Sequence, residues 1–276
     1  MTNMDPSKSA RAPMRSFAVF LGAALAAATM WSTQARAAPC PNKDALGTSR
    51  ILTVDAASTP RGGLKSFPQT LPLEDHEVVL TFDDGPWPQT TPKVLAALAH
   101  ECVHATFFLI GKPASEHPEL ARRIAAEGHT IGHHTWTHFS LAQIKPEDAV
   151  DQINHGISAV EMALHGVATT TPSTPFFRFP GFESTQATLD LLQSRGIVVF
   201  GADLWASDWN PMTPQQELKL LTDRLKAAGK GIILLHDPKG HTAAMLPAFL
   251  RYLKENHYHV VHLVPAVPGT HASAAR

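Results

Sequence analysis

From residue 76 onward the sequence alternates short apolar runs with longer amphipathic stretches, and this alternation restricts the fold more than any other feature. The runs 78–82, 105–110, 197–202, 232–235 and 259–264 are unbroken or nearly so, as strands covered on both faces must be. Between them, 91–100, 116–127, 146–164, 185–195, 213–228 and 242–256 carry helical periodicity. Pro92 stands where a first-turn proline belongs, and Gly128, Gly196 and Gly229 stand just past three helix ends. Strands alternating with helices predict parallel βα units, whose working residues collect at the C-terminal ends of the strands. A chain of 276 residues, 44% of them hydrophobic, can bury the core of one such domain.

The flanking segments read differently. In 1–37, Lys8, Arg11 and Arg15 precede an apolar run over 17–30, and Ala35-Arg36-Ala37 offers small residues for cleavage; this is a signal-peptide pattern. Met14 is a second candidate start. Pro39 before Cys40 does not form a lipoprotein box, so the expectation is an exported protein, periplasmic or secreted, without lipid and without membrane insertion after cleavage. An uncleaved N-terminal anchor is the alternative. Residues 38–75, rich in Pro, Gly, Ser and Thr, read as an extended arm with one candidate strand at Ile51-Leu52-Thr53-Val54. Residues 266–276 read as a loose tail. The net charge of −1, with Lys and Arg scattered, excludes a broad grip on nucleic acid or anionic membrane. Nothing in the sequence sets the oligomeric state. The two cysteines, Cys40 and Cys102, allow either one disulfide or a buried Cys102 with a free Cys40.

Five constellations carry candidate chemistry. Asp83 and Asp84, in Thr81-Phe82-Asp83-Asp84-Gly85-Pro86, follow the first strand; one carboxylate can bind a cation while the other stays free, although Asp-Gly-Pro is also ordinary turn chemistry. His134 and His138 stand four apart, a spacing that places both imidazoles on one side of a helical turn. Among 16 histidines the spacing alone is weak, since His100/His104 and His129/His133 share it. The first of those pairs reads as solvated, and the second flanks a short strand. Arg178 lies amid aromatics before Pro180-Gly181, either a cation needing a partner or the cover of an apolar patch. The loop from Asp203 to Trp209 offers two acids and two tryptophans, a sugar-binding wall or a capped turn. His236 ends the run 232–235, where a satisfied core histidine is the plainer reading.

The order and composition of these five segments resemble the motifs of the polysaccharide deacetylase family, also called the NodB homology domain or carbohydrate esterase family 4. The resemblance spans 76–265 and includes Ala105-Thr106-Phe107-Phe108. It implies a distorted, incomplete (β/α) barrel, TIM-like, with its site at the strand C-terminal ends. It also implies Asp84, His134 and His138 as ligands of a divalent metal, zinc foremost, with cobalt, nickel and manganese as alternatives. Asp83 would be the general base and Arg178 its ion-pair partner; His236 would be the general acid, oriented by Asp208. Trp209 and Leu235 would line the acetyl pocket, with Pro180 and Gly181 on the groove wall. The implied reaction is hydrolysis of the acetamide of an N-acetylated oligo- or polysaccharide, a chito-oligosaccharide or peptidoglycan. Acetyl esters of xylan, or a non-sugar amide, are alternatives on the same site, as is a catalytically silent sugar-binding module. An iron oxygenase is formally compatible with two histidines and a carboxylate, but would need neither Arg178 nor His236.

The chain departs from the family pattern at three places. Pro180 is followed by Gly181 and Phe182 rather than by a bulky residue and then Gly. Trp205 replaces a smaller or acidic residue, and His133 replaces an Asn, which makes it a conceivable further ligand.

Overall fold

The computed structural model describes residues 40–266; the expectations for the signal segment and most of the tail lie outside this range. Ten strands form one sheet. They are β1 (Thr48–Val54), β2 (Arg61–Gly62), β3 (Glu77–Asp83), β4 (Thr106–Leu109), β5 (Thr130–His133), β6 (Phe176–Phe177), β7 (Val198–Phe200), β8 (Leu204–Trp205), β9 (Gly231–His236) and β10 (His259–Pro265). Every pairing is parallel, in the order β1-β10-β3-β4-β5-β6-β7-β2, with β9 on β3 and β8 on β9. The sheet does not close, which makes it the incomplete barrel expected from the sequence.

Seven helices cover it: α1 (Thr91–His100), α2 (Gly111–Glu116), α3 (Pro118–Ala126), α4 (Pro146–His165), α5 (Gln186–Ser194), α6 (Pro214–Ala228) and α7 (Gly240–Glu255). Local signals set their ends. Thr185 and Thr213 each close a capping box, and Gly166 ends α4 in the left-handed conformation at φ 72°. The stretch read as 116–127 is α3, started two residues later at Pro118, while Glu116 ends α2, a short helix that the sequence reading did not include.

All seven residues of β3 are buried, and their alternation builds two layers. Val78, Leu80 and Phe82 face the helices in the main core, whereas Val79 faces the interior of the sheet with Phe108, Phe176, Phe200 and Ile232. In the 40–75 segment the candidate strand at 51–54 lies in β1, which pairs with β10 along most of its length, and β2 pairs with β7. Cys40 and Cys102 form a disulfide with Cα atoms 5.8 Å apart, so the bridged alternative is the one realised. No helix of the described residues is long and apolar enough to cross a membrane.

Candidate active site

The C-terminal ends of β3, β5, β8 and β9 surround a cavity of about 470 Å³ whose lining includes Asp83, Asp84, His134, His138, Trp209 and His236. Asp83 arrives on the inward face of β3. Asp84 would point away from it in a regular strand, but its φ of 77° turns the chain and aims the carboxylate at the same cavity. Asp84 Oδ1 lies 3.5 Å from His134 Nε2 and 3.2 Å from His138 Nε2.

The two histidines do not share a helical turn, as their spacing suggested. They lie on a loop whose left-handed residues, Thr135 (φ 67°) and His138 (φ 63°), fold it back, and Thr135 Oγ1 accepts the His138 N–H at 3.1 Å. His134 Nδ1 donates to the Arg178 carbonyl at 2.7 Å. A carbonyl only accepts, so the lone pair of the neutral ring sits on Nε2, facing Asp84. Burial favours that neutral ring by lowering its pKa, against the opposing charges of Asp83 and Asp84. Ligand atoms of Asp84, His134 and His138 all lie within 4.8 Å of one another, and Asp84 Oδ1 is buried with no hydrogen-bond donor. An orphaned carboxylate oxygen facing the Nε2 atoms of two imidazoles fits a divalent cation.

Beneath this group Arg178 is fully buried. Its guanidinium donates to Asp83 Oδ1 at 2.8 Å, Thr81 Oγ1 at 2.7 Å, the Phe200 carbonyl at 3.3 Å and the Gly201 carbonyl at 2.8 Å, and lies over the Phe108 ring. That accounts for the cation's cost of burial and leaves Asp83 Oδ2 as the free oxygen, 3.9 Å from His134 Nε2. On the other side, Asp208 Oδ1 faces His236 Nδ1 at 2.8 Å, while Oδ2 accepts the His236 backbone N–H at 2.7 Å. Burial opposes charge on His236. The hydrogen bond and charge of Asp208, with Asp84 and Asp83 nearby, outweigh it and raise the pKa to about 9.

Two expected wall residues are displaced. Leu235 lies in the helix-facing core, and Leu234 lines the cavity instead, because only alternate residues of β9 share the face of His236. Pro180 is buried at the start of a tight turn, and Phe179, Gly181 and Phe182 form the wall. His133 faces Glu161 at 3.8 Å, outside the Asp84 group. Of the pair read as solvated, His100 is exposed, whereas His104 is half-buried and packs against His129 and His262.

The sequence matches the family model for polysaccharide deacetylase over residues 71–200. A chitooligosaccharide deacetylase of a Bradyrhizobium species is 34% identical over 161 residues, covering 58% of this chain and 70% of that protein. The chain belongs to the polysaccharide deacetylase family. A peptidoglycan-N-acetylglucosamine deacetylase of Bacillus cereus is 36% identical over 138 residues; the match takes in 50% of this chain and 48% of that protein, so the chain spans only about half of it. A solved peptidoglycan deacetylase of Bdellovibrio bacteriovorus superposes with a TM-score of 0.71 at 29% identity, over 84% of this chain and 63% of that one.

Around the family motifs stand residues that the sequence did not single out. Lys65 and Lys239 line the cavity. Thr242 Oγ1 touches both Asp208 Oδ2 at 3.0 Å and Glu217 Oε1 at 2.9 Å, tying the His236–Asp208 pair to α6. Burial raises Glu217 to about 7, with the Thr242 hydrogen bond opposing, and likewise raises Asp237 to about 7 against its bond from Thr91. Asp237 could have been noticed as the neighbour of His236. Glu217 sits in a polar helix where an acid reads as solvated.

Proposed function

We propose that this chain hydrolyses the acetamide of N-acetylated glycans, releasing acetate and a free amino sugar, in an exported setting. The observation that carries the reading is the meeting, in one cavity, of the Asp84-His134-His138 group, the Arg178-held Asp83 and the Asp208-held His236. Asp84, His134 and His138 would hold a divalent cation, zinc being the best match to two imidazoles and one carboxylate. When bound, such a cation supplies Lewis acidity, polarising the acetamide carbonyl and making a water easier to deprotonate.

The protein's own groups do the remainder. Asp83 Oδ2 accepts the proton of the attacking water, and Arg178 keeps the other oxygen engaged so that the carboxylate stays aimed. Gly181, with no side chain, lets the acetamide approach the wall, and Leu234 and Trp209 offer apolar surface beside it. An amine leaves poorly unless protonated. His236 donates that proton, and Asp208 holds the ring and supports its charge until it does. The raised pKa of His236 keeps the acid charged at neutral pH, which suits an amide more than an acetyl ester, whose alcohol needs less help to depart.

The test is acetate release from chito-oligosaccharides, peptidoglycan and acetylated xylan, with and without chelator. Asp83→Asn should lower kcat by roughly 100-fold to 10,000-fold while bound metal is retained. Activity that persists through both the chelator and the substitution refutes the mechanism, and release from acetylated xylan alone reassigns the substrate.

A further inference from the structure

The cavity contains more positive charge than the reaction uses. Of its two carboxylates, Asp83 is paired with Arg178 and Asp84 belongs to the candidate cation group. Lys65 and Lys239 line the same cavity, and neither ammonium has a carboxylate partner among the described residues. Lys65 lies over the Trp205 ring at 5.2 Å from its centroid, and Arg224 lies over that ring at 5.5 Å. Arg224 donates to the Trp205 carbonyl and to Ser207 Oγ, again without an acid. Two like charges thus share one aromatic ring, an arrangement that an incoming anion would relieve.

The position of Lys65 is built rather than incidental. Gly63 (φ 118°) packs so closely on Gly201 that a Cβ would come within 2.5 Å of its carbonyl carbon, which brings the loop after β2 against the loop after β7. Asp203 then clamps it, accepting from Leu64 N–H at 2.8 Å and Thr70 Oγ1 at 2.6 Å, while Lys65 N–H donates to the Ala202 carbonyl at 2.8 Å. The backbone of Lys65 is therefore fixed, and Trp205, one of the departures from the family pattern, is the surface on which its side chain rests. Lys239 comes from the opposite direction in sequence, immediately before α7.

We propose that this cavity selects N-acetylated glycans that bear a carboxylate on or beside the reacting sugar, with Lys65 and Lys239 as the residues that recognise it. The proposal rests on the deacetylase reading above and narrows its substrate. A lactyl ether or a stem-peptide carboxylate of peptidoglycan meets the requirement; an unmodified chito-oligosaccharide, which is neutral, does not. Trp205 and Trp209 supply the apolar faces for sugar rings, and the lysines supply the discrimination.

The experiment compares three probes: chitotetraose, a peptidoglycan-derived tetrasaccharide with free carboxylates, and the same tetrasaccharide with its carboxylates converted to methylamides. The wild-type chain should favour the free acid by kcat/KM, and raising ionic strength from about 0.05 to about 0.5 M should erode that preference. Lys65→Gln and Lys239→Gln should each raise KM for the free acid about threefold to tenfold, leave kcat unchanged, and leave chitotetraose and the methylamide unaffected. Equal losses on all three probes, or a wild-type preference for a neutral probe, overturn the proposal. If no probe releases acetate, the deacetylase reading fails instead. Quenching of tryptophan fluorescence by the free acid against the methylamide then still reports whether the cavity selects the charge, and equal binding of the two overturns it.

Discussion

Asp208 holds both the ring and the backbone of His236, so its carboxylate sets the ring's position and its charge together. Deprotonation of His236 should impose the alkaline limb of the pH–activity profile, at about 9 or lower, because a bound cation would offset the part contributed by Asp84. With Asp208→Asn, burial is left to act with less opposition and the limb should move down towards neutrality, with at least about a tenfold loss of kcat at pH 8. A limb that stays in place in the variant would show that another group donates the proton. At this scale the sequence was legible where chemistry is written in residue types at strand ends: Asp83, Asp84 and His236 reach one cavity, with Arg178 and Asp208 buried behind them. It was misread where parity decides: alternation along a strand puts Leu234, two residues before His236, on the histidine's face, and the resemblance pointed to Leu235 instead.

Among elements, α4 has the most direct bearing on the site. Gly156, in its interior, lies so close to the His134–His138 loop that a Cβ would fall within 2.5 Å of the Thr135 carbonyl group and 2.8 Å of the Trp136 nitrogen. Gly156→Ala must push the helix and the loop apart. We expect it to cost about 1–3 kcal/mol of stability and to weaken zinc binding, measured by competition with a chromophoric chelator. Unchanged affinity would mean the loop holds its shape without the helix. The sequence showed α4 and its proline start plainly, because periodicity and capping are local. It hid the loop, because left-handed conformations at Thr135 and His138 are imposed by neighbours and have no signature in residue type. The 40–75 segment was legible only in part: its candidate strand at 51–54 lies in β1, but the contacts that order the rest, to Asp203, β7 and β10, are far away in sequence.

For the molecule as a whole, burying Glu217 and Asp237 ties stability to acidity. Both carboxyl groups have pKa values raised to about 7 by burial, above the usual carboxylate range. The stability they contribute as neutral groups is complete below about pH 4 and is lost as pH rises through about 7. The melting temperature should therefore fall between pH 5 and pH 8, and Glu217→Gln, which cannot ionise, should flatten that slope; an unaltered slope would mean that Glu217 titrates in the folded chain as it does in the unfolded one. One further consequence follows from the pairing of β1, near the start of the described chain, with β10 at its end. Emerging N-terminus first, whether from a ribosome or a translocation pore, the chain exposes 48–54 more than 200 residues before the edge that completes them, 259–265, becomes available. The first strand of the described residues must wait for the last, so that edge of the sheet can be completed only after 259–265 has emerged.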